Sequence, residues 1–288
     1  MDVMECVMIP KTVYRFGVLG IALAMACSKA VDPEYVIEES VVTTPAGTEH
    51  VQVFVPASTF TMGSSDGPSN ERPPHEVMLD AFYIDKYEVT NAQYLAYVEA
   101  TGSEEPQYFR IEGFDRPDQP AVGVLWSQAR DYCLWAGLQL PSEAQWELTA
   151  AGIDGRMFPW GDEPASESLC NFNFSSGPMP VGSYPNGASP YGAMDMAGNV
   201  WEWTLDEYQH TYYANSPRHN PVNLENSGME DGPDRTLRGG SWFSPQPSIR
   251  VFVRSTVLIM EEQALARDDF DTYEIFAHIG FRCARGEP

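Results

Sequence analysis

The sequence predicts an α+β domain built from short strands, short helices and long ordered loops. Composition contributes the loops: the 288 residues include 23 glycines and 23 prolines, types that punctuate regular structure rather than extend it. It also contributes the means of pinning them, since 7 tryptophans, 14 tyrosines and 14 phenylalanines supply large rings to bury between irregular segments. Apolar residues make up 43% of the chain, enough for a core, and a chain of this size buries about three quarters of its unfolded surface. Composition alone leaves the fold class open; the order of local signals chooses it.

Val51, Val53 and Val55 alternate with Gln52 and Phe54, and Phe60, Thr61 and Met62 run into the turn Gly63-Ser64-Ser65-Asp66-Gly67. These are strand and turn signals, and Met78, Leu79, Ala81, Phe82, Tyr83 and Ile84 make a further strand region. Thr90 with Gln93 forms a capping box that opens a helix running through Val98 and stopping at Gly102. Ser127 is placed to cap a second helix, with Ala129, Tyr132, Cys133 and Ala136 on one face and Gly137 at its end. Ser142 with Gln145 is another capping box, and the helix it opens ends at Gly152. Beyond that point only a turn around Glu261 to Ala266 has helical character; the rest reads as turns and short strands, without an internal repeat.

The first residues read as a targeting segment. Lys11 and Arg15 precede an uncharged run from Phe16 to Ala26, shorter than the roughly 20 residues of a membrane span and suited to a signal-peptide core. The run ends in Leu23-Ala24-Met25-Ala26-Cys27 and continues into Ser28-Lys29. This resembles a bacterial lipoprotein signal in which Cys27 becomes the lipidated first residue, with Ala24 departing from the leucine favoured there. The alternative is an ordinary secretory signal with a coincidental cysteine. Asp2 and Glu5 suit a signal poorly, and a start at Met8 would remove them. Both readings export the chain, and the expected organisation is a signal peptide over 1–26, the lipid-anchor cysteine and a polar linker over 27–47, and one domain over 48–288.

Charge and cysteine usage remove several functional classes. With 17 basic against 41 acidic side chains the formal net charge is −24, so neither nucleic acid nor an acidic membrane surface is an electrostatic partner. Export leaves Cys133, Cys170 and Cys283 in an oxidising compartment, and three being odd, at least one stays unpaired or pairs between chains. There is no CxxC motif, and the histidines at 50, 75, 210, 219 and 278 lack the spacing of a zinc helix.

Eight segments in fixed order then point to one family. They are Phe60-Thr61-Met62-Gly63-Ser64, Tyr87-Glu88-Val89-Thr90-Asn91, Tyr132-Cys133-Leu134-Trp135-Ala136-Gly137 and Leu140-Pro141-Ser142-Glu143-Ala144-Gln145-Trp146-Glu147. Further on come Pro159-Trp160-Gly161, Gly198-Asn199-Val200-Trp201-Glu202-Trp203, Arg238-Gly239-Gly240-Ser241-Trp242 and Gly280-Phe281-Arg282-Cys283. Together they resemble the formylglycine-generating enzyme (sulfatase-modifying factor) family over about residues 50 to 285. The resemblance implies a single C-type-lectin-like domain, a small twisted antiparallel sheet with short helices and long ordered loops.

The resemblance also implies where chemistry would sit. The family reaction oxidises a substrate cysteine with molecular oxygen and depends on two cysteines that bind copper as thiolates. Here the first falls at Ser244 and the second at or near Ile249, and there is no cysteine between Cys170 and Cys283. A serine hydroxyl does not become a soft thiolate-like ligand near neutral pH, so no copper centre of that kind is expected. Ser241 keeps the position of the family's active-site serine. Relatives that use iron carry a separate helical domain with three histidine ligands, for which this chain has neither the length nor the histidines.

Structural features carry over more fully. The family pairing implies a Cys133–Cys283 disulfide closing about 150 residues, worth about 4 to 5 kcal/mol in the loop-entropy treatment. Cys170 reads as a buried free thiol, and three reduced cysteines in the core is the alternative. A calcium site is implied with Asp195, the carbonyls of Gly198 and Val200, and Glu202 as hard oxygen ligands. The competing reading of Glu202 is a carboxylate accepting backbone N–H bonds in a tight turn. A second calcium site would use Asn171 and Phe172, without a clear acidic counterpart near Asn173.

Other clusters have plainer readings. Residues 268–274 are rich in acids but lack the spacing and glycine of an EF-hand, and read as a solvated insertion beside the substrate groove. Trp160, Trp201, Trp203 and Trp242 are a ligand platform or, more simply, core rings. Arg238, Arg250 and Arg254 would hold a carboxylate near the empty catalytic position, or pair with local acids. The expectation is therefore an exported, lipid-anchored envelope protein of this family, lacking the copper centre and binding a protein or peptide in the old substrate groove. The alternative is a family enzyme with altered chemistry at Ser241 and Ser244.

Overall fold

In the computed structural model of the chain, residues 8–10, 23–25, 35, 37–173, 175–224, 235–257 and 276–287 are described. Residues 1–36 and 37–288 form two separate units. In the first, strands β1 (Met8–Pro10) and β2 (Leu23–Met25) pair antiparallel. Most of the expected signal segment, Cys27, the turn at 261–266 and the acidic insertion at 268–274 lie outside the described residues.

In the second unit the alternating valines form β4 (Glu49–Val55), with Val53 and Val55 fully buried. It is flanked by β3 (Glu39–Thr43) and β7 (Phe82–Asp85), and β11 (Ala284–Gly286) completes a sheet of order β11-β7-β4-β3. The presence of β3 corrects the expected linker: residues 39–43 belong to the sheet edge, where Val41 pairs with Val51 on the solvent face and Val42, on the other face, packs against the core. β5 (Ser58–Met62) and β6 (His75–Leu79) make a separate hairpin. The region 78–84, expected as one strand, is thus two, because the chain leaves the hairpin at Asp80 and enters the four-stranded sheet at Phe82.

Both capping boxes form as the sequence requires. Thr90 accepts from the Gln93 N–H and opens α1 (Asn91–Thr101), which Gly102 closes at φ 75°. Ser142 does the same with Gln145 and opens α3 (Glu143–Ala151), ended by Gly152. The second helix starts earlier than expected. It spans Trp126–Trp135 as α2, and the Gln128 side chain accepts the Leu125 N–H at 2.8 Å, so a backbone-directed amide replaces the expected Ser127 cap. From α3 to residue 256 the described residues carry only short 3-10 turns and the strands β8 (Trp201–Glu207) and β9 (Arg235–Arg238).

β8 lies between β9, antiparallel, and β10 (Ile279–Phe281), parallel. Around it sits the core: Tyr94 stacks on Tyr132 at 5.5 Å, and Trp201, Trp203, Phe281, Ile279 and Leu237 close over them. The disulfide implied by the family resemblance is present, with Cys133 of α2 joined to Cys283 just after β10 across a Cα–Cα distance of 5.7 Å. Cys170 is free and buried. The loop at 195–200 therefore runs straight into β8 and the buried core around it, which decides what that loop can do.

Candidate functional site

The chain leaves β9 through Gly239 and Gly240, both in the left-handed region at φ 94° and 75°. A Cβ on Gly240 would fall 2.5 Å from Ile249 Cγ2 and 2.9 Å from the Ser248 carbonyl, so only glycine permits this approach. The consequence is that Ser241, Ser244 and Ile249 are folded back on one another. The two serine hydroxyl oxygens are 3.4 Å apart. Ser244 Oγ accepts the Ser241 N–H at 3.0 Å, and Ser241 Oγ accepts the Phe243 N–H at 3.3 Å. Both serines are buried, and Ile249 is fully so, packed with Phe158, Cys170 and Ala197.

Cys170 is the free thiol among the described residues, and it belongs to the same cluster as Ile249. Burial, with the nearby Asp195 charge, pushes its pKa up to about 12. At neutral pH it is a protonated thiol, and the donor set here of hydroxyl, alkyl and thiol groups does not fit a soft copper ion that needs thiolates.

The loop preceding β8 is locked by asparagine. Asp195 and Asn199 both adopt positive φ, 58° and 56°, which Asp and Asn tolerate better than other side chains. A Cβ on Gly198 would sit 2.2 Å from the Asn171 carbonyl oxygen, which instead accepts the Asn199 N–H at 2.8 Å. Asn199 Nδ2 donates to both oxygens of Glu88 at 3.1 and 3.2 Å, while its Oδ1 accepts from Asn171 Nδ2 and from the Met179 N–H.

Glu202 is fully buried, and its carboxylate accepts from Arg282 Nε at 2.6 Å and Nη2 at 2.7 Å, with Trp146 Nε1 adding a third bond at 3.0 Å. Its partners are thus side chains rather than the backbone N–H groups of a tight turn. Asp195 Oδ2 accepts the Gly182 N–H at 2.6 Å. Burial pushes Asp195 up to about 6, and burial together with the Asp195 and Glu202 charges raises Glu88 well above the carboxylate range. Three buried acids thus face one buried cation, Arg282. Among the described residues no group of three His, Cys, Asp or Glu side chains is arranged to hold a metal ion.

At the second expected calcium position, both amide hydrogens of Asn171 are used, one on Gly177 O at 3.0 Å and one on Asn199 Oδ1 at 3.1 Å. Its Oδ1 accepts from Ser175 Oγ at 2.6 Å. The side chain of Asn171 is thus fully engaged within the protein.

The arginines pair with local acids. Arg254 grips Glu143 at 2.6 and 2.9 Å, Arg238 bonds both Glu143 and Glu147, and Arg250 holds Glu71 at 2.8 and 3.2 Å. Burial opposes ionisation of Glu143, but Arg254 and Arg238 outweigh it and hold its carboxyl below the usual range. Trp201 and Trp203 are core rings; Trp160 stacks on Phe158, and Trp242 stacks on His278 at 4.4 Å beside the serine pair.

The description "Sulfatase-modifying factor enzyme 1-like domain" matches residues 38–287. The chain belongs to this family. It is 32% identical to the formylglycine-generating enzyme of Streptomyces coelicolor, over 81% of this chain and 88% of that protein. It is also 35% identical to the serine/threonine-protein kinase Pkn1 of Chlamydia caviae, over 88% of this chain but only 40% of the kinase, so the chain spans less than half of that relative. Among solved structures it resembles PvdO from Pseudomonas aeruginosa, with a TM-score of 0.68 and 26% identity over 90% of this chain and all of that one. The fold is that of the sulfatase-modifying factor family, with its lectin-like loop architecture. Within it, sequence reasoning missed Arg282, Glu88 and Trp146 as partners of the 195–202 loop. The one available sign was the scarcity of basic residues, which makes an arginine inside a family motif notable.

Proposed function

We propose that this member of the sulfatase-modifying factor family is an exported, lipid-anchored binding protein, one that engages a protein or peptide at the family substrate groove without copper oxidase chemistry. The observation that carries the reading is the donor set at the catalytic position. Ser244 and Ile249 stand where the family reaction needs thiolates, the serine oxygens accept backbone N–H bonds, and Cys170 is held protonated. Oxygen uptake with a sulfatase-type cysteine peptide and added copper tests this. No uptake above the peptide-free rate is expected, and turnover would overturn the reading.

Similarity to a formylglycine-generating enzyme over most of both chains favours a second reading, a family enzyme with altered chemistry at Ser241 and Ser244. Under that reading Ser241→Ala would abolish an activity while leaving ligand affinity intact. The membrane anchor rests on Cys27, and its test is incorporation of an alkyne fatty acid that is lost in Cys27→Ala.

Calcium belongs to the same proposal. Asp195 and the carbonyls of Gly198 and Val200 would hold it, and the excess of buried acid over Arg282 supports a cation there. Glu202 would serve only by exchanging its bonds to Arg282. A melting temperature raised by calcium and lowered by chelator supports the site; an unchanged one removes it.

A further inference from the structure

A cavity lies apart from the residues around the serine pair. It has a volume of about 250 Å³ and sits between the β6–β7 turn, the start of α3, β8 and residues 220–222. None of its lining residues belongs to the 195–202 loop or to the segment carrying Ser241 and Ser244. Buried Leu79 and Phe82 and half-buried Leu205 and Val222 form an apolar wall, beside which buried Ser142 and half-buried Gln145 add polar groups. Exposed Asp80, Gln139 and Asn220 make the mouth polar.

No lysine or arginine lines the cavity, Asp80 is its one acidic residue, and the basic group that meets it is the His219 imidazole just outside the lining. Asp80 Oδ2 accepts from Asn220 Nδ2 at 2.7 Å and Oδ1 from His219 Nε2 at 3.0 Å, which fixes the carboxylate while leaving each oxygen a further lone pair. The wall behind it is stitched in place: the Asn220 N–H donates to the Met78 carbonyl at 2.8 Å and Asn220 Oδ1 accepts the Asp80 N–H at 3.0 Å. A cavity of roughly 150 Å³ suffices for a benzene-sized guest, so the space here admits a small ring or branched chain with a polar end.

We infer that this cavity is a binding site for a small amphipathic amine, with its apolar body against Leu79, Phe82, Leu205 and Val222 and its ammonium on Asp80. The site is independent of the family groove. Preference for cations over anions follows from the single carboxylate, and the modest strength of an exposed ion pair limits the gain over a neutral isostere to about twofold to fivefold.

Phenethylammonium titrated into the purified full chain, followed by amide chemical shifts, tests the inference. Saturable shifts are expected at residues 79–82, 222 and 286, with phenylethanol about twofold to fivefold weaker and phenylacetate weaker still. Asp80→Asn should lower the ammonium affinity to that of the alcohol. Phenylacetate binding as tightly as the amine, shifts confined to other regions, or Asp80→Asn leaving the preference for the amine over the alcohol unchanged would each overturn the assignment.

Discussion

Arg282 offers the sharpest test of how the 195–202 loop is held. Its guanidinium is fully buried and donates to Glu202 at 2.6 and 2.7 Å, and to the carbonyls of Asp85, Lys86 and Met194 at 3.0, 3.2 and 2.9 Å. Arg282→Met keeps the stem and removes every donor. It leaves Glu202 as an uncompensated buried charge beside Glu88 and Asp195, and removing one partner of a buried pair costs about 3–5 kcal/mol. Urea unfolding at neutral pH reads the loss, provided the denaturant slope stays constant. Glu202→Gln should cost a similar amount, and the double variant should fall short of the sum by about 2 kcal/mol, because the second change no longer strands a charge. A loss below about 1 kcal/mol for Arg282→Met, or strict additivity, would refute the account. The same variants bear on calcium: if Glu202 serves Arg282, its substitution costs equally with calcium and with chelator.

Replacing both Cys133 and Cys283 with alanine removes a link spanning 150 residues, and the loop-entropy treatment gives a loss of up to about 5 kcal/mol in urea unfolding; less than about 1 kcal/mol would mean the unfolded chain is already constrained. Acidity acts through raised carboxyls. Burial and the Glu143 charge push Asp206 up to about 7 from 3.8, and Asp195 rises to about 6, so the folded state holds more protons than the unfolded one between about pH 4 and 7. Their contribution is complete below the unfolded values and fades as pH rises through the folded ones; melting temperature should therefore fall from pH 5 to pH 8, less steeply in Asp206→Asn. Cys170, with its thiol pushed up to about 12, should resist a thiol reagent at pH 8 in the folded state and react fully in urea, and rapid native labelling would contradict its burial.

How much of this was legible beforehand follows from the range of each signal. Thr90 with Gln93 and Ser142 with Gln145 act within one helical turn, and both helices begin where these pairs place them. The strand break at Asp80 and the edge strand at 39–43 could not be read that way. Each depends on which sheet accepts the backbone N–H groups, and that is settled by chain segments far away in sequence.

The candidate site divides similarly. The sequence by itself determined the family, the glycines at 239 and 240, and the lack of cysteine at 244 and 249, because residue identity at a motif position needs no coordinates. Only the tertiary structure decided that Glu202 belongs to Arg282, 80 residues on, that Arg238 and Arg254 share Glu143, and that Ile249 and Cys170 occupy one cluster. A buried charge takes the partner that packing brings within about 3 Å, and local sequence carries no record of that distance. The cavity at Asp80 is the extreme case, since its walls come from five separated segments and exist only once the core around β8 has closed.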